Sequence, residues 1–473
     1  MEAAVRQALH AAERGRQRFL ADLRRFVAFP SVSADPRRIG QVRACASWLA
    51  ELLAGVGLDE VEVAPSGGHP VVLAAWRRLP GAPTLLVYGH YDVQPEGPRA
   101  AWRSPPFEAR LRGEHLYGRG ASDDKGQLLA WVAALRAWTS SGGPPVNVVC
   151  LFDGEEEIGS PNLRPLLRRR RGGLAADAAA VSDTRMLGPT RPAIVYGLRG
   201  SIRAEVELQG PPTDLHSGTF GGAVHNPLQA LAELVAGLHN GRGRVRVPGF
   251  YDHVRVAPAS ERAAMARDGP TDAELLRAAG VERAAGEPGW TLYERTTIRP
   301  ALTVNAIAGG RPEPLGSAVI PAGARAVLEA RLVPDQDPAE VERLLRRHLA
   351  ASLPAGIRAR VRVGTGSPPV LVDRHHPAVQ AAELAYRRAF GAPAVLLRSG
   401  GTIAAVGMLA DALDLPLVLM GFALPSDRLH APNERAHLPT LARGVDTCVW
   451  FLAQLRSALS AASSRSSGLA RPP

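Results

Sequence analysis

TLLVYGHYDVQP, residues 84–95, is the stretch that decides how this chain is read. Thr84 to Tyr88 is apolar without interruption, as in a strand of a parallel sheet covered on both faces. The run ends at His90 and Asp92, and parallel sheets hold their ligand-binding groups just beyond the carboxyl ends of their strands. The arrangement recurs. VVCLFDGEEEIGS (148–160) ends in Glu155, Glu156 and Glu157, AAVSDT (179–184) carries Asp183, GRGASDDKG (118–126) carries Asp123 and Asp124, and LHAPNE (429–434) carries His430. One histidine is usually a hydrogen-bonded structural residue and one acidic run a solvated face; the set together reads as a rim of metal-type ligands.

Around this rim the segments alternate. Helices are expected at 17–27, 40–54 and 125–139, and strands at 60–63, 71–76, 84–88, 146–152 and 178–182, which is an α/β pattern with a doubly wound, mainly parallel sheet. Ser160 and Pro161 are expected to open a helix as cap and first residue. After Gly197 the pattern changes to strand 201–208, helix 227–238, strands 303–308 and 324–332, helix 338–351 and strand 358–363. That order belongs to a ferredoxin-like α+β sandwich. Residues 240–300 read as irregular. The α/β pattern resumes with helix 377–390, a Gly-rich turn at 399–402, strand 416–421 and helix 440–455. The expected organisation is a catalytic domain of 1–197 and 366–460, an inserted dimerisation or lid domain of 198–365, and a disordered tail of 461–473.

A chain of 473 residues is long enough for two cores. Its apolar runs are too short for a membrane span, and its amino terminus reads as an amphipathic helix with no apolar signal segment. Cys45, Cys150 and Cys448 are odd in number and lack CxxC spacing, which favours a reducing, cytoplasmic setting. The net charge of +11 comes from a basic complement in which Lys125 is the only lysine, a compositional bias toward arginine. The densest run, Arg168–Arg171, has no interleaved aromatics, so no nucleic-acid partner is expected.

The residue types suit metal chemistry. His90 and Asp92 project to one side of an extended segment, so one binds metal while the other orients it. Asp123 and Asp124, in a Gly-flanked loop before a helix, would repel a phosphate and attract cations. Of the adjacent Glu156 and Glu157, one can hold metal while its neighbour takes a proton from water; spacing alone leaves open which. Mixed nitrogen and oxygen donors suit zinc, manganese or cobalt.

The motifs GHYDVQP, GRGASDDKG, GEEEIGSP, VSDT and DLHSGTFGGAVHNP closely resemble those of the M20 family of metallopeptidases, in particular its dipeptidase branch related to carnosine dipeptidases. The resemblance covers nearly the whole chain except the tail. It implies a dinuclear hydrolase that cleaves dipeptides or small peptides by metal-bound hydroxide, with two divalent ions per subunit, zinc before manganese or cobalt. Asp123 would bridge the ions, His90 and Asp183 would hold one, and Glu157 and His430 the other. Glu156 would be the general base, Asp92 would orient His90, and the Asp123–Asp124 peptide would be cis. His216 would serve the partner subunit of a homodimer by stabilising the oxyanion. Asn305, Arg331 and Thr402 would hold the substrate's backbone and carboxylate, the arginine through its bidentate fork. The branch commonly has Glu, Pro and Thr where this chain has Ser399, Ala404 and Ala318, all at pocket positions. An N-acyl-amino-acid or carbamoyl amidohydrolase of the same fold is the alternative, and a non-catalytic scaffold is disfavoured because every expected ligand is present.

Overall fold

The structure, a computed structural model, describes residues 1–310 and 318–468, with side chains to residue 461 at its carboxyl end. The chain divides into two compact units, one of Met1–Tyr196, Val372–Leu397 and the chain from Ile403, the other of Gly197–Leu371 and Arg398–Thr402. The whole expected Gly-rich turn thus belongs with the second unit, and the chain returns to the first unit at Val372, a few residues later than the pattern suggests.

The sheet of the first unit is parallel at its centre. Asn147–Asp153, Thr84–His90, Ala178–Val181 and Leu417–Met420 run parallel in that order. Antiparallel strands flank them: Val71–Trp76 then Asp59–Ala64 on one side, Ala193–Leu198 on the other. Every residue of Asn147–Asp153 is buried, as both-face coverage demands. The parallel register sets His90 beside Asp153, so neighbouring strand ends open onto one rim.

Helix Lys125–Thr139 is buried almost all round and supplies the largest core side chains, Trp131 and Trp138. Trp131 donates its indole N–H to Ser182 Oγ at 2.7 Å, so its polar edge is satisfied inside the core. Trp131→Ala is expected to destabilise the protein by about 3–5 kcal/mol through lost burial and a residual cavity. A denaturation midpoint that barely moves would refute this.

The second unit has the strand order 301–309, 323–332, 200–209, 358–363, antiparallel throughout, with helices Pro227–Gly237 and Pro338–Ala351 between strands along the chain. This is the expected βαββαβ arrangement. Strand Gly200–Gln209 alternates buried and less buried residues, and Val206 and Leu208 join Leu231, Leu328 and Leu345 in one core.

Three expectations fail. Ser160 does not cap a helix: it sits at φ 50° and donates to Asp153 Oδ2 at 2.5 Å, and the helix begins at Leu163 after Asn162. The buried Asp153 carboxylate captures the hydroxyl that would otherwise cap. Residues 240–300 are not irregular but include helices Ala259–Asp268, Asp272–Ala279 and Leu292–Thr297. The last two start at reciprocal caps, Thr271 with Glu274 and Thr291 with Glu294, a local signal that apolar periodicity misses. The Ser- and Ala-rich stretch expected as a tail continues the closing helix, Leu438–Gly468; residues 469–473 lie outside the described residues. Among the described residues no helix is long and apolar enough to cross a membrane.

Candidate metal centre

His90 is the last residue of its strand and is fully buried. Its Nδ1 lies 3.1 Å from the Asp92 carbonyl oxygen and 3.3 Å from Asp92 Oδ1, which turns Nε2 toward Asp123 Oδ1, 3.2 Å away. Asp183 Oδ2 is 4.0 Å from the same nitrogen. The Asp92 carboxylate also accepts from Ser33 Oγ at 2.6 Å and from the backbone N–H groups of Glu156 and Glu157. One carboxylate therefore orients the histidine and anchors the acidic loop.

Asp123 presents one oxygen to each histidine. Oδ1 faces His90, and Oδ2 lies 2.9 Å from His430 Nε2. His430, at φ 61° in the loop before Glu434, also approaches Glu157 Oε2 at 3.3 Å. Gln94 holds Glu157 in turn, its side-chain amide donating to Oε2 at 2.9 Å and its backbone N–H to Oε1 at 3.2 Å. Two overlapping donor groups result, His90 with Asp123 and Glu157, and His90 with Glu156 and Asp183.

The Asp123–Asp124 peptide is cis. Asp124 Oδ2 accepts the His90 N–H at 3.2 Å, and the approach needs Gly89, where a Cβ would stand 2.9 Å from that oxygen. Asp124 Oδ1 is buried with no hydrogen-bond partner.

The electrostatics are those of a crowded, buried acid cluster. Burial, with Asp123 beside it, pushes the Asp183 carboxyl well above the carboxylate range. Burial and the neighbouring acids Glu157 and Asp92 raise Glu156 to about 8, and burial with Asp123 raises Asp124 to about 8. Hydrogen bonds to Asp123 and Glu157 raise His430 to about 10. His90 is disfavoured as a cation by burial, but its bonds to Asp123 and Asp92 prevail and hold its pKa well above the usual histidine range. Crowded carboxylates, an orphaned buried oxygen and two inward imidazoles fit divalent metal, and no thiolate is present to favour a structural site.

The other expected residues lie in the second unit. Arg331 Nη1 donates to Thr402 Oγ1 at 2.9 Å and Nη2 pairs with Glu329 at 2.5 Å, while Asn305 Nδ2 donates to Glu329 Oε2 at 2.8 Å. Glu329 thus links Asn305 to Arg331, and Arg331 in turn binds Thr402. It adds Arg199, whose Nε donates to the Gly400 carbonyl and whose pKa falls to about 10 through burial and the Arg331 charge. His216 is exposed, and its Nδ1 accepts the Gly218 N–H at 3.1 Å, leaving Nε2 as the ring's proton donor.

Sequence reasoning missed Ser33, Gln94 and Arg199, and quoted Glu434 only as a neighbour of His430. Gln94 and Glu434 sit inside the quoted motifs, and their position there was the available signal.

The model of "Peptidase family M20/M25/M40" matches residues 86–454. A Cys-Gly metallodipeptidase of Schizosaccharomyces pombe is 29% identical over 463 residues, covering 94% of this chain and 97% of its own. The human Beta-Ala-His dipeptidase is 30% identical over 437 residues, covering 88% and 86%. The crystal structure of an M20 family metallo-carboxypeptidase, Sso-CP2 of Sulfolobus solfataricus, superposes with a TM-score of 0.85 at 30% identity, covering 93% of this chain and 99% of that one. With the family model spanning most of the chain and relatives matched nearly end to end, this chain belongs to peptidase family M20/M25/M40.

Proposed function

We propose that the chain is a metal-dependent dipeptidase that works as a cytoplasmic homodimer with two divalent ions, zinc by preference, in each subunit. The observation that carries the two-ion reading is Asp123, whose two carboxylate oxygens face His90 and His430 separately. On this reading His90 and Asp183 would hold one ion, Glu157 and His430 the other, and Asp123 would serve both. Bound divalent metal supplies Lewis-acid polarisation of the scissile carbonyl and acidification of water. The chain's own groups do the remaining work. Glu156 takes a proton from the attacking water and returns it to the leaving amine nitrogen. Asp92 fixes the ring plane of His90 and the backbone of Glu156. His216, protonated at Nε2, donates to the developing oxyanion in the partner subunit. Arg331 and Thr402 hold the substrate carboxylate, with Asn305 on its backbone.

The relatives named above include both dipeptidases and a carboxypeptidase, and Ser399, Ala404 and Ala318 depart from the dipeptidase pattern at pocket positions. Substrate length is therefore the point to test. The metal-loaded protein, assayed on Cys-Gly, β-Ala-His, tripeptides and N-acetyl amino acids, is expected to turn over dipeptides with the highest kcat/KM. Preference for N-acetyl amino acids would replace this reading with a deacylase of the same fold.

A further inference from the structure

Two buried carboxylates outside the ligand set face the loop that carries Asp123. Glu434 is fully buried, and its two oxygens accept four hydrogen bonds. Oε1 accepts the backbone N–H groups of Ser122 and Asp123, each at 3.1 Å. Oε2 accepts the Gly120 N–H at 3.1 Å and Arg119 Nη1 at 2.7 Å. The Glu434 carbonyl accepts the Gly118 N–H at 3.0 Å as well. Beside it, Asp427 Oδ2 accepts from Ser122 Oγ at 2.7 Å. Arg119, 1% exposed, extends the connection by donating Nη2 to the Pro95 carbonyl at 3.1 Å. Pro95 ends the segment that begins with His90, and the Gln94 before it holds Glu157.

Three segments that are distant in sequence are therefore tied together, Arg119–Asp123 and His430–Glu434 at the Glu434 carboxylate and His90–Pro95 through Arg119. Each carries an expected metal ligand. A bridging carboxylate must keep both oxygens aimed at separate ions, so a small rotation of the Asp123 backbone would spoil one aim. Four hydrogen bonds gathered on one carboxylate, three of them from backbone N–H groups of the Asp123 loop, leave that loop little freedom.

We propose that Glu434, held in place by Arg119, is a positioning residue that sets Asp123 against His430, and that metal affinity depends on it. The proposal rests on the ligand assignment above. Side chains that orient metal ligands typically contribute about 10–100-fold in affinity or activity.

Glu434→Gln keeps the shape but turns an amide N–H₂ toward backbone donors whichever way it is placed. Its metal dissociation constant, measured by chelator competition, is expected to rise about 10–100-fold with KM at saturating metal unchanged. Glu434→Asp keeps the charge for Arg119 but withdraws the carboxylate by one methylene, and should also bind metal more weakly. A lower melting temperature with native metal affinity in both variants would mean a structural staple only and would overturn the proposal.

Amide exchange on the metal-free wild-type protein tests it without any substitution. The Gly120, Ser122 and Asp123 amides should be protected, because their partner is Glu434 and not the metal; rapid exchange there refutes the idea. Asp123→Asn separates the two levels of inference. If that variant binds metal like the wild type, the ligand assignment has failed; if it loses metal while both Glu434 variants retain native affinity, only the positioning role has.

Discussion

Glu156→Gln is expected to keep its full complement of metal and to lose about 10²–10⁴-fold in kcat, the usual contribution of a positioned acid–base group. The backbone N–H of Glu156 is fixed on Asp92 Oδ1 at 3.2 Å, which does not involve the side chain, so the loop should hold its place in the variant. Burial and neighbouring Glu157 and Asp92 raise the carboxyl to about 8. The geometry also offers a rival role, because Glu156 forms a donor group with His90 and Asp183. Metal analysis together with kinetics separates the two. Full metal with lost turnover assigns the base, whereas loss of metal in parallel with turnover would make Glu156 a ligand and require a different base.

Asp123→Asn should have the larger effect on metal. Among the described residues Asp123 is the one carboxylate that turns one oxygen to each of His90 and His430, and those histidines hold its pKa below the usual carboxylate range. An amide supplies one neutral oxygen and no charge, so one histidine would face an N–H₂ donor. Metal affinity is expected to fall by at least about 100-fold, beyond the loss typical of an orienting neighbour, and hydrolysis with it. Equilibrium dialysis against zinc or manganese reads this directly. A variant retaining two tightly held ions would refute the bridge.

The parts of the site that were legible in the sequence are those where chemistry follows chain order. His90, Glu156, Glu157 and Asp183 each come just after an apolar strand run, so buried-strand periodicity and a change of residue type mark them together. Strands and helices with clean periods, such as Val71–Trp76, Lys125–Thr139 and Pro338–Ala351, lie where the pattern puts them. Helices Asp272–Ala279 and Leu292–Thr297 were not legible, since their starts depend on side-chain to backbone caps and not on an apolar stripe. Ser160 misled for a related reason: its hydroxyl suited both a cap and the Asp153 carboxylate, and only proximity decides between them.

By itself the sequence determined the α/β class, the insertion of a βαββαβ unit and an acid and histidine rim suited to divalent metal, because periodicity and residue chemistry are local properties. Tertiary structure alone decided how those residues meet. That Asp123 turns one oxygen to each histidine, that Asp92 serves both His90 and the Glu156–Glu157 backbone, and that Glu434 gathers N–H groups from residues more than 300 positions away are matters of register and loop closure. A carboxylate's reach is a few ångströms, and no one-dimensional spacing records which backbone donors fall within it.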